Sequence, residues 1–362
     1  MPDIKSIGAG LVLAVALALP AGAASPPALG AAERAAVITT LAHDLEDDYV
    51  YPDRATAAAN ALFAAQKSGT YDADTDPEAF ANALTKTLAG VLHDKHVHVE
   101  YSPEALPTDG GDAASKRESY QRDRAGWAEQ NFGLFKAVRL RANVGYLDVR
   151  AFPNAPMMGD QMAAAMQFLS NTDALIIDLR KNTGGDPASV ALLCSFLFPP
   201  WERVHVNDIY RRTPKTQGGQ TRQYWTTYVP THYLDKNVYV LTSAFTFSGG
   251  EEFAYDMQTQ KRATLVGEVT GGGANPGEVE RLSDHFAAFV PFGRAVNPIT
   301  HTNWEGVGVK PDVATTAAAA LATAYVDVLR QKLTAATDPD DRKALSDLIE
   351  LFTKSPETIL TQ

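Results

Sequence analysis

The sequence has 362 residues, of which 45% are apolar, and a formal net charge of −11 at pH 7. This acidic balance argues against nucleic acid or an anionic membrane as partner, because both attract basic surfaces. A chain of this length can bury a core without cross-links, and Cys194 is its only cysteine, so no internal disulfide forms. The apolar setting of Cys194, ALLCSFLF, predicts a buried and unreactive thiol.

The first residues have the pattern of a secretory signal peptide. Lys5 precedes an apolar run at 11–19, and positions 21–23 read Ala-Gly-Ala. The run is shorter than the roughly 20 residues of a membrane-spanning helix. We therefore expect residues 1–24 to be removed by cleavage after residue 23 or 24, leaving a mature chain that is exported to the periplasm or the medium and not inserted in the membrane.

Residues 25–101 are expected to form a small helical domain. Apolar residues recur four apart and predict three helices between Ala31 and Leu92. The third has Thr75 and Asp76 as cap candidates, Glu78 to complete a T-x-x-E capping box and Pro77 in its first turn. The alternation in HDKHVHVEYS then predicts a short strand. Residues 102–134 are polar and are expected to form a linker with a solvated helix.

From residue 135 to 362 strand and helix patterns alternate. VGYLDVRAF and ALIIDLR read as strands with an amphipathic helix between them, and further strand patterns follow Pro187. This order predicts an α/β fold with helices packed on a largely parallel sheet. The chain is expected to end in helices, one from Thr315 and one for which Asp338 is the cap candidate.

Three glycine-bearing turns follow predicted strands: DLRKNTGGD at 178–186, TFSGGEE at 246–252 and GEVTGGGANP at 267–276. In an open α/β sheet the ligand crevice lies at the carboxyl ends of the strands, so these turns are expected to share one edge. Ser248 is either a helix cap or a nucleophile. As a nucleophile, it would have neighbouring glycine N–H groups to bind a developing oxyanion, worth roughly 3 to 4 kcal/mol per donor.

These three blocks, followed by WEGVGVKPDV, resemble the tail-specific (C-terminal processing) serine peptidases, in particular the branch similar to interphotoreceptor retinoid-binding protein and the tricorn protease core. The resemblance covers about Val144 to Val313, and LHDKHVHV resembles the D-x-H stretch that ends the family's helical domain. It implies a ClpP/crotonase-like β-α core that hydrolyses peptides or proteins without a cofactor. The 102–134 linker is too short for the PDZ domain that many relatives carry.

The resemblance also implies roles for individual residues. Ser248 would be the nucleophile, Gly249 with Gly184 or Gly185 would supply the oxyanion N–H groups, and His96 and Glu305 would be base and orienting group. Phe247, Gly272 and Gly273 would contact substrate. The processing branch has its catalytic lysine at a position that is Gly273 here, and the nearest following lysine, Lys261, lies at the far end of the helix, which argues against a Ser-Lys dyad.

Several alternatives stay open. His98 projects from the strand like His96 and could be the base. His93, His96 and His98 could suggest zinc, although no fourth ligand is evident and no metal is expected. Glu251 and Glu252 are expected to favour the helix N-terminus electrostatically, and the resemblance adds that the first of them anchors the loop. An alternative from a different functional class is a periplasmic protein that has the same fold but binds apolar ligands without turnover.

Overall fold

The computed structural model describes residues 28–108, 112–214 and 218–361; the predicted signal peptide lies outside these residues. The helices are α1 (Ala31–Asp48), α2 (Pro52–Lys67), α3 (Pro77–Leu92), α4 (Ala113–Glu129), α5 (Ala155–Leu169), α6 (Pro187–Ser195), α7 (Gly249–Thr259), α8 (Ala317–Ala335) and α9 (Pro339–Lys354). The strands are β1 (His98–Tyr101), β2 (Leu134–Leu140), β3 (Val144–Val149), β4 (Ala174–Asp178), β5 (His205–Arg212), β6 (Gly219–Trp225), β7 (Asn237–Thr242), β8 (Thr264–Gly267), β9 (Gly277–Arg281), β10 (Phe286–Pro291), β11 (Gly293–Val296) and β12 (Val313–Ala314).

The chain divides into two compact units. The first contains the described residues up to Arg117 with those of Ile209–Arg222 and Asn275–Ala295, and the second contains the rest. The predicted domain boundaries at 101 and 134 stay predictions.

A separate three-stranded sheet is formed by β5, β6 and β11, with β5 in the middle.

In the first unit the three predicted helices are confirmed. Of the two cap candidates of the third helix, Asp76 is the N-cap and Thr75 is not, because the Asp76 side chain accepts a hydrogen bond from Ala79 N at 2.8 Å and Pro77 occupies the first turn. The apolar faces of α1, α2 and α3 pack in one core with β1 and β10. β1 pairs antiparallel with β10, which also pairs with β9, and His98 stands opposite Phe289. The predicted strand therefore belongs to a sheet whose other strands come much later in the chain.

The second unit contains a six-stranded sheet in the order β12-β8-β7-β4-β3-β2, in which only β2 runs antiparallel to its neighbour. Helices α8 and α9 share a buried core with one face of the sheet, and α5 packs against β2 and β3 while α7 contacts β8. Every residue of β4 is buried, as expected for a parallel strand covered on both faces. The α/β prediction and the two C-terminal helices are confirmed.

The three glycine-bearing turns follow β4, β7 and β8, which are neighbours in the sheet. Because these strands are parallel, their carboxyl ends meet at one edge, as the sequence predicted. Before the first turn, Arg180 bonds to both oxygens of Asp178 and fixes the end of β4. The parallel sheet thus gathers three loops on which a site can be built.

Two further predictions are confirmed. Cys194 is buried in α6, and burial raises the pKa of its thiol well above the ordinary value, which makes it unreactive. Helix α4 has no buried residue and is solvated. Within the described ranges, no helix has the length and apolar character needed to cross a membrane.

Candidate active site

Ser248 lies at the turn between β7 and α7, one residue before the helix begins. Its backbone has φ 51° and ψ −121°, a conformation that costs a non-glycine residue on the order of 1–3 kcal/mol. The turn is held by Thr246, whose hydroxyl donates to Leu179 O at 2.7 Å and accepts from Ser243 N at 3.0 Å. A strained serine at a strand-to-helix turn is the geometry of a nucleophile, and it needs the surrounding bonds to maintain it.

Gly184 and Gly185 bring the loop after β4 against this turn. Their φ angles are 104° and 135°, in the region that favours glycine. A Cβ on Gly184 would lie 2.6 Å from the Cβ of Ser248, and a Cβ on Gly185 would lie 2.0 Å from Phe152 O. Only glycine fits at either position, so the close approach of the two loops depends on both residues.

Two backbone N–H groups beside Ser248 are available to a ligand. The N–H of Gly184 is not one of them, because it donates to Asn182 Oδ1 at 2.8 Å. Among the described residues, no acceptor is found for the N–H groups of Gly185 and Gly249. A Cβ on Gly249 would lie 3.0 Å from Gly185 N, so the two groups are close together. Gly249 also begins α7, where the helix dipole favours negative charge.

Glu251 holds the turn that carries Ser248 against the loop after β8. Its buried Oε2 accepts from Ser248 N at 2.9 Å and Gly273 N at 2.8 Å, and its Oε1 accepts from Gly272 N at 2.6 Å and Thr270 Oγ1 at 2.5 Å. Burial raises the pKa of Glu251, but all four partners donate, so the carboxylate form is the one that matches them. The expectation that the first acidic residue of the helix anchors the loop is confirmed.

The backbone N–H and C=O groups of Gly272 and Gly273 form hydrogen bonds within the protein. Besides the two N–H groups held by Glu251, Gly272 O accepts from Gly306 N at 3.0 Å and Gly273 O accepts from Trp304 Nε1 at 2.7 Å. These bonds shape the loop, and a contact of the two glycines with substrate stays a prediction.

Phe247 precedes Ser248 and is half-buried. Its N–H donates to Asn182 O at 3.1 Å, and a Cβ on Gly271 would lie 2.7 Å from its ring. The ring therefore packs over the glycine loop while part of it stays accessible beside Ser248. Its predicted contact with substrate stays a prediction.

Glu305 is held by the same framework. Its Oε2 accepts from Ala274 N at 2.6 Å, next to the glycine to which buried Trp304 donates. Hydrogen bonds thus run from Ser248 through Glu251 and the 272–274 loop to Glu305. The second unit fixes the predicted nucleophile and the predicted orienting carboxylate in one network.

His96 belongs to the first unit, two residues before β1, and is 8% exposed. Its ring stacks on Phe289 with the centroids 5.8 Å apart. Asp94 Oδ1 accepts the N–H of His96 at 3.0 Å and lies 3.6 Å from its Nδ1. The sequence analysis assigned no role to Asp94, although the D-x-H spacing contained it.

His98 has a different environment. Its Nδ1 lies 2.6 Å from His96 O and its Nε2 lies 2.9 Å from Glu100 Oε1. Burial alone would lower the pKa of His98, but the bonds to Glu100 and to His96 O outweigh it and raise the pKa. With both ring nitrogens engaged, His98 is the weaker candidate for a base. His93 is exposed and caps α3 in a left-handed conformation, so the three histidines do not share one strand face.

Lys261 lies beyond the far end of α7. At 1.5 Å per helical residue, its Cα is roughly 20 Å from that of Ser248. The structure therefore agrees with the sequence argument against a Ser-Lys dyad that uses this residue.

Helix α7 also carries two buried carboxyl groups that sequence analysis missed as a pair, Glu252 and Asp256. Burial raises the pKa of Glu252 to about 8, helped by the charge of Asp186 and opposed by the neighbouring Asn207 amide. Burial and the neighbouring Glu252 also raise the pKa of Asp256. The expectation that Glu252 carries charge to the helix N-terminus is wrong at neutral pH, because a buried carboxyl with this pKa is mostly protonated.

A serine on a strained strand-to-helix turn, with two N–H donors beside it at the carboxyl edge of a parallel sheet, defines an α/β serine hydrolase. Two family models match the chain: Peptidase family S41 over residues 143–315, and the N-terminal domain of Peptidase_S41 in eukaryotic IRBP over residues 31–124. The chain belongs to peptidase family S41 and is a serine-type peptidase. The family expected from the sequence blocks is confirmed.

Solved structures share the fold. Mature CPAF is 13% identical, with 90% of this chain and 97% of that chain covered and a TM-score of 0.54. A lipoprotein from Streptococcus agalactiae is 13% identical over 84% and 96% of the two chains, with a TM-score of 0.51. A putative peptidase from Parabacteroides merdae is 16% identical over 78% and 90%, with a TM-score of 0.50. At these identities the likeness concerns the fold alone.

Proposed function

We propose that the chain hydrolyses peptide bonds with Ser248 as nucleophile, His96 as general base and Glu305 as orienting group. The observation that carries this proposal is the strained backbone of Ser248 beside the N–H groups of Gly185 and Gly249. A serine that served only as a helix cap would have no need of a costly positive φ. The same observation favours turnover over a protein that only binds apolar ligands.

The reaction proceeds in two balanced halves. Ser248 Oγ attacks the substrate carbonyl carbon, its proton passes to Nε2 of His96, and the carbonyl oxygen becomes an oxyanion. Collapse breaks the C–N bond, and the leaving amine takes the proton from the imidazolium. Water then attacks the acyl-enzyme and gives a proton to the imidazole, which returns it to Ser248 Oγ as the carboxylic acid leaves.

The oxyanion is stabilised by the N–H groups of Gly185 and Gly249. Each such donor contributes roughly 3 to 4 kcal/mol to the transition state in well-studied enzymes. Gly184 donates no hydrogen bond to the oxyanion. Because it has no Cβ, it lets the loop after β4 come close to Ser248. Glu305 orients the imidazole, and Phe247, Gly272 and Gly273 remain predicted substrate contacts.

The substrate is a peptide or protein outside the cytoplasm. This part of the proposal is supported by the signal-like pattern at residues 1–24, which predicts export to the periplasm or the medium. N-terminal sequencing of the exported protein tests it: a mature chain that begins near residue 24 or 25 is expected, and an intact N-terminus in that fraction contradicts it.

Reaction with a fluorophosphonate probe, followed by mass spectrometry of the labelled peptide, tests the nucleophile. We expect one adduct, on Ser248, which Ser248→Ala abolishes and Ser170→Ala leaves intact, because the Ser170 hydroxyl donates to Gln167 O at the end of α5. A peptide library incubated with the same wild-type protein must also be cleaved. Labelling without cleavage of any peptide would support the binding protein instead.

A further inference from the structure

Asp94 is a buried carboxyl group at the end of α3 in the first unit, 2% exposed. Its Oδ2 accepts from the Tyr49 hydroxyl at 3.1 Å and from Asn275 Nδ2 at 2.9 Å. Its Oδ1 accepts the backbone N–H of His96 at 3.0 Å. Three donors from three separate parts of the sequence therefore fix both oxygens of this carboxyl.

The fixed carboxyl faces the histidine ring. Oδ1 lies 3.6 Å from His96 Nδ1, and the ring is packed against Phe289 with an interplanar angle of 25°. A ring held by stacking keeps its plane but can still exchange tautomers. The carboxylate at Nδ1 decides between the tautomers, because it attracts a proton on that nitrogen and leaves Nε2 as the acceptor.

Asp94 is ionised in this setting. Burial alone would raise its pKa, but the contacts with His96 and the bond to Asn275 outweigh burial and hold the pKa of Asp94 below its ordinary value. A buried negative charge at this distance also favours the imidazolium that forms when the base accepts a proton.

We propose that Asp94 is a positioning residue of the catalytic machinery, which keeps the proton of His96 on Nδ1 and stabilises the charged ring during acylation. The inference rests on the proposed function, in which this histidine is the base. Two carboxylates would then act on His96: Glu305, and Asp94, which belongs to the same unit as the histidine.

Asp94→Asn is the informative variant because the fold can accept it. Two fixed donors, the Tyr49 hydroxyl and Asn275 Nδ2, keep an oxygen at the Oδ2 position, so the new side-chain nitrogen takes the place of Oδ1 and faces His96 Nδ1. There it donates to Nδ1 and favours the wrong tautomer, and the variant gives up only the bond from the His96 N–H. Tyr49→Phe is the matched control, since it removes one hydrogen bond from Asp94 and keeps the charge.

The first readout is the rate at which the fluorophosphonate probe labels Ser248 across pH, in wild type, Asp94→Asn, Tyr49→Phe and Glu305→Gln. We expect Asp94→Asn to slow labelling by roughly 10²- to 10³-fold and to move the acid limb of the pH profile down by about one pH unit. Tyr49→Phe is expected to cost less than about tenfold. Labelling of Asp94→Asn within threefold of wild type, with an unshifted pH profile, overturns the inference.

The second readout does not depend on reactivity. Two-bond ¹H–¹⁵N spectra of the histidine rings, with His96→Ala to assign the signal, report the tautomer directly. We expect the Nδ1–H form in wild type and in Glu305→Gln, and its loss in Asp94→Asn. If wild-type Ser248 is not labelled, the proposed function fails, and the spectra still decide whether Asp94 fixes the tautomer. An unchanged tautomer in Asp94→Asn overturns the inference in either case.

Discussion

Glu251 and Glu252 are adjacent, buried and acidic, yet the structure predicts opposite results when each is changed to glutamine. Glu251 receives four hydrogen bonds, three of them from backbone N–H groups that cannot act as acceptors. Glu252 is a mostly protonated carboxyl at neutral pH, with a pKa raised to about 8 by burial. The first substitution replaces a charged acceptor with an amide, and the second replaces one neutral group with another of the same shape.

The magnitude for Glu251→Gln follows from its partners. In the cheaper orientation the new amide nitrogen takes the place of Oε1, where the Thr270 hydroxyl can accept from it but the Gly272 N–H cannot. Losing that bond costs about 1.5–3 kcal/mol, and the two bonds to the remaining oxygen each weaken by about 1 kcal/mol without the charge. The free energy of unfolding should fall by roughly 3 to 5 kcal/mol, and labelling of Ser248 should be lost with the turn geometry.

The assay is urea denaturation at pH 7 followed by circular dichroism, together with fluorophosphonate labelling of each folded variant. Glu252→Gln should not lower the free energy of unfolding at pH 7 and is expected to raise it, because the variant removes the cost of protonating this carboxyl when the chain folds. The reasoning is refuted if Glu251→Gln is as stable and as reactive as wild type, or if Glu252→Gln is the more damaging of the two.

Three further predictions concern α7 and the adjoining loops. Because the pKa of Glu252 is about 8 in the folded chain and its ordinary value is 4.5, the folded state holds an extra proton between these values, so stability falls as pH rises through this window. Glu252→Gln should reduce this fall in urea denaturation at pH 5 and pH 8, and equal slopes would count against it. Gly185→Ala should lower the labelling rate at least about 100-fold, because its Cβ would meet Phe152 O at 2.0 Å; a wild-type rate would mean that the loop is not needed. Lys261→Ala should keep peptidase activity within about twofold, whereas a loss as large as that of Ser248→Ala would restore a Ser-Lys mechanism.

Much of the fold could be predicted because it depends on local patterns. The four-residue recurrence of apolar side chains predicted α1 to α3, and the continuous apolar run of β4 predicted a strand buried on both faces. The loops of the site could be predicted because parallel strands place their carboxyl ends at one edge. The position of Ser248 and the neighbouring glycines at this edge could therefore be predicted from the strand order and the composition of the turns.

The remaining features depend on contacts that no local pattern encodes. Nothing in the sequence around Asn275 indicates that it bonds to Asp94, because the two residues are joined only by folding. The sequence analysis gave Glu252 only an electrostatic role at the helix N-terminus and gave Asp256 no role, since acidic residues are rarely buried without a partner. The Gly272 and Gly273 N–H groups likewise bond to Glu251, and a glycine-rich loop in the sequence does not indicate these bonds.

The central claim is that His96 is the base that activates Ser248. Single-turnover acylation by p-nitrophenyl acetate tests it most directly, in wild type, His96→Ala and His98→Ala, each verified as folded by circular dichroism. The account predicts that His96→Ala slows acylation by at least about 10³-fold while His98→Ala stays within about tenfold of wild type. Acylation by His96→Ala at the wild-type rate would contradict it.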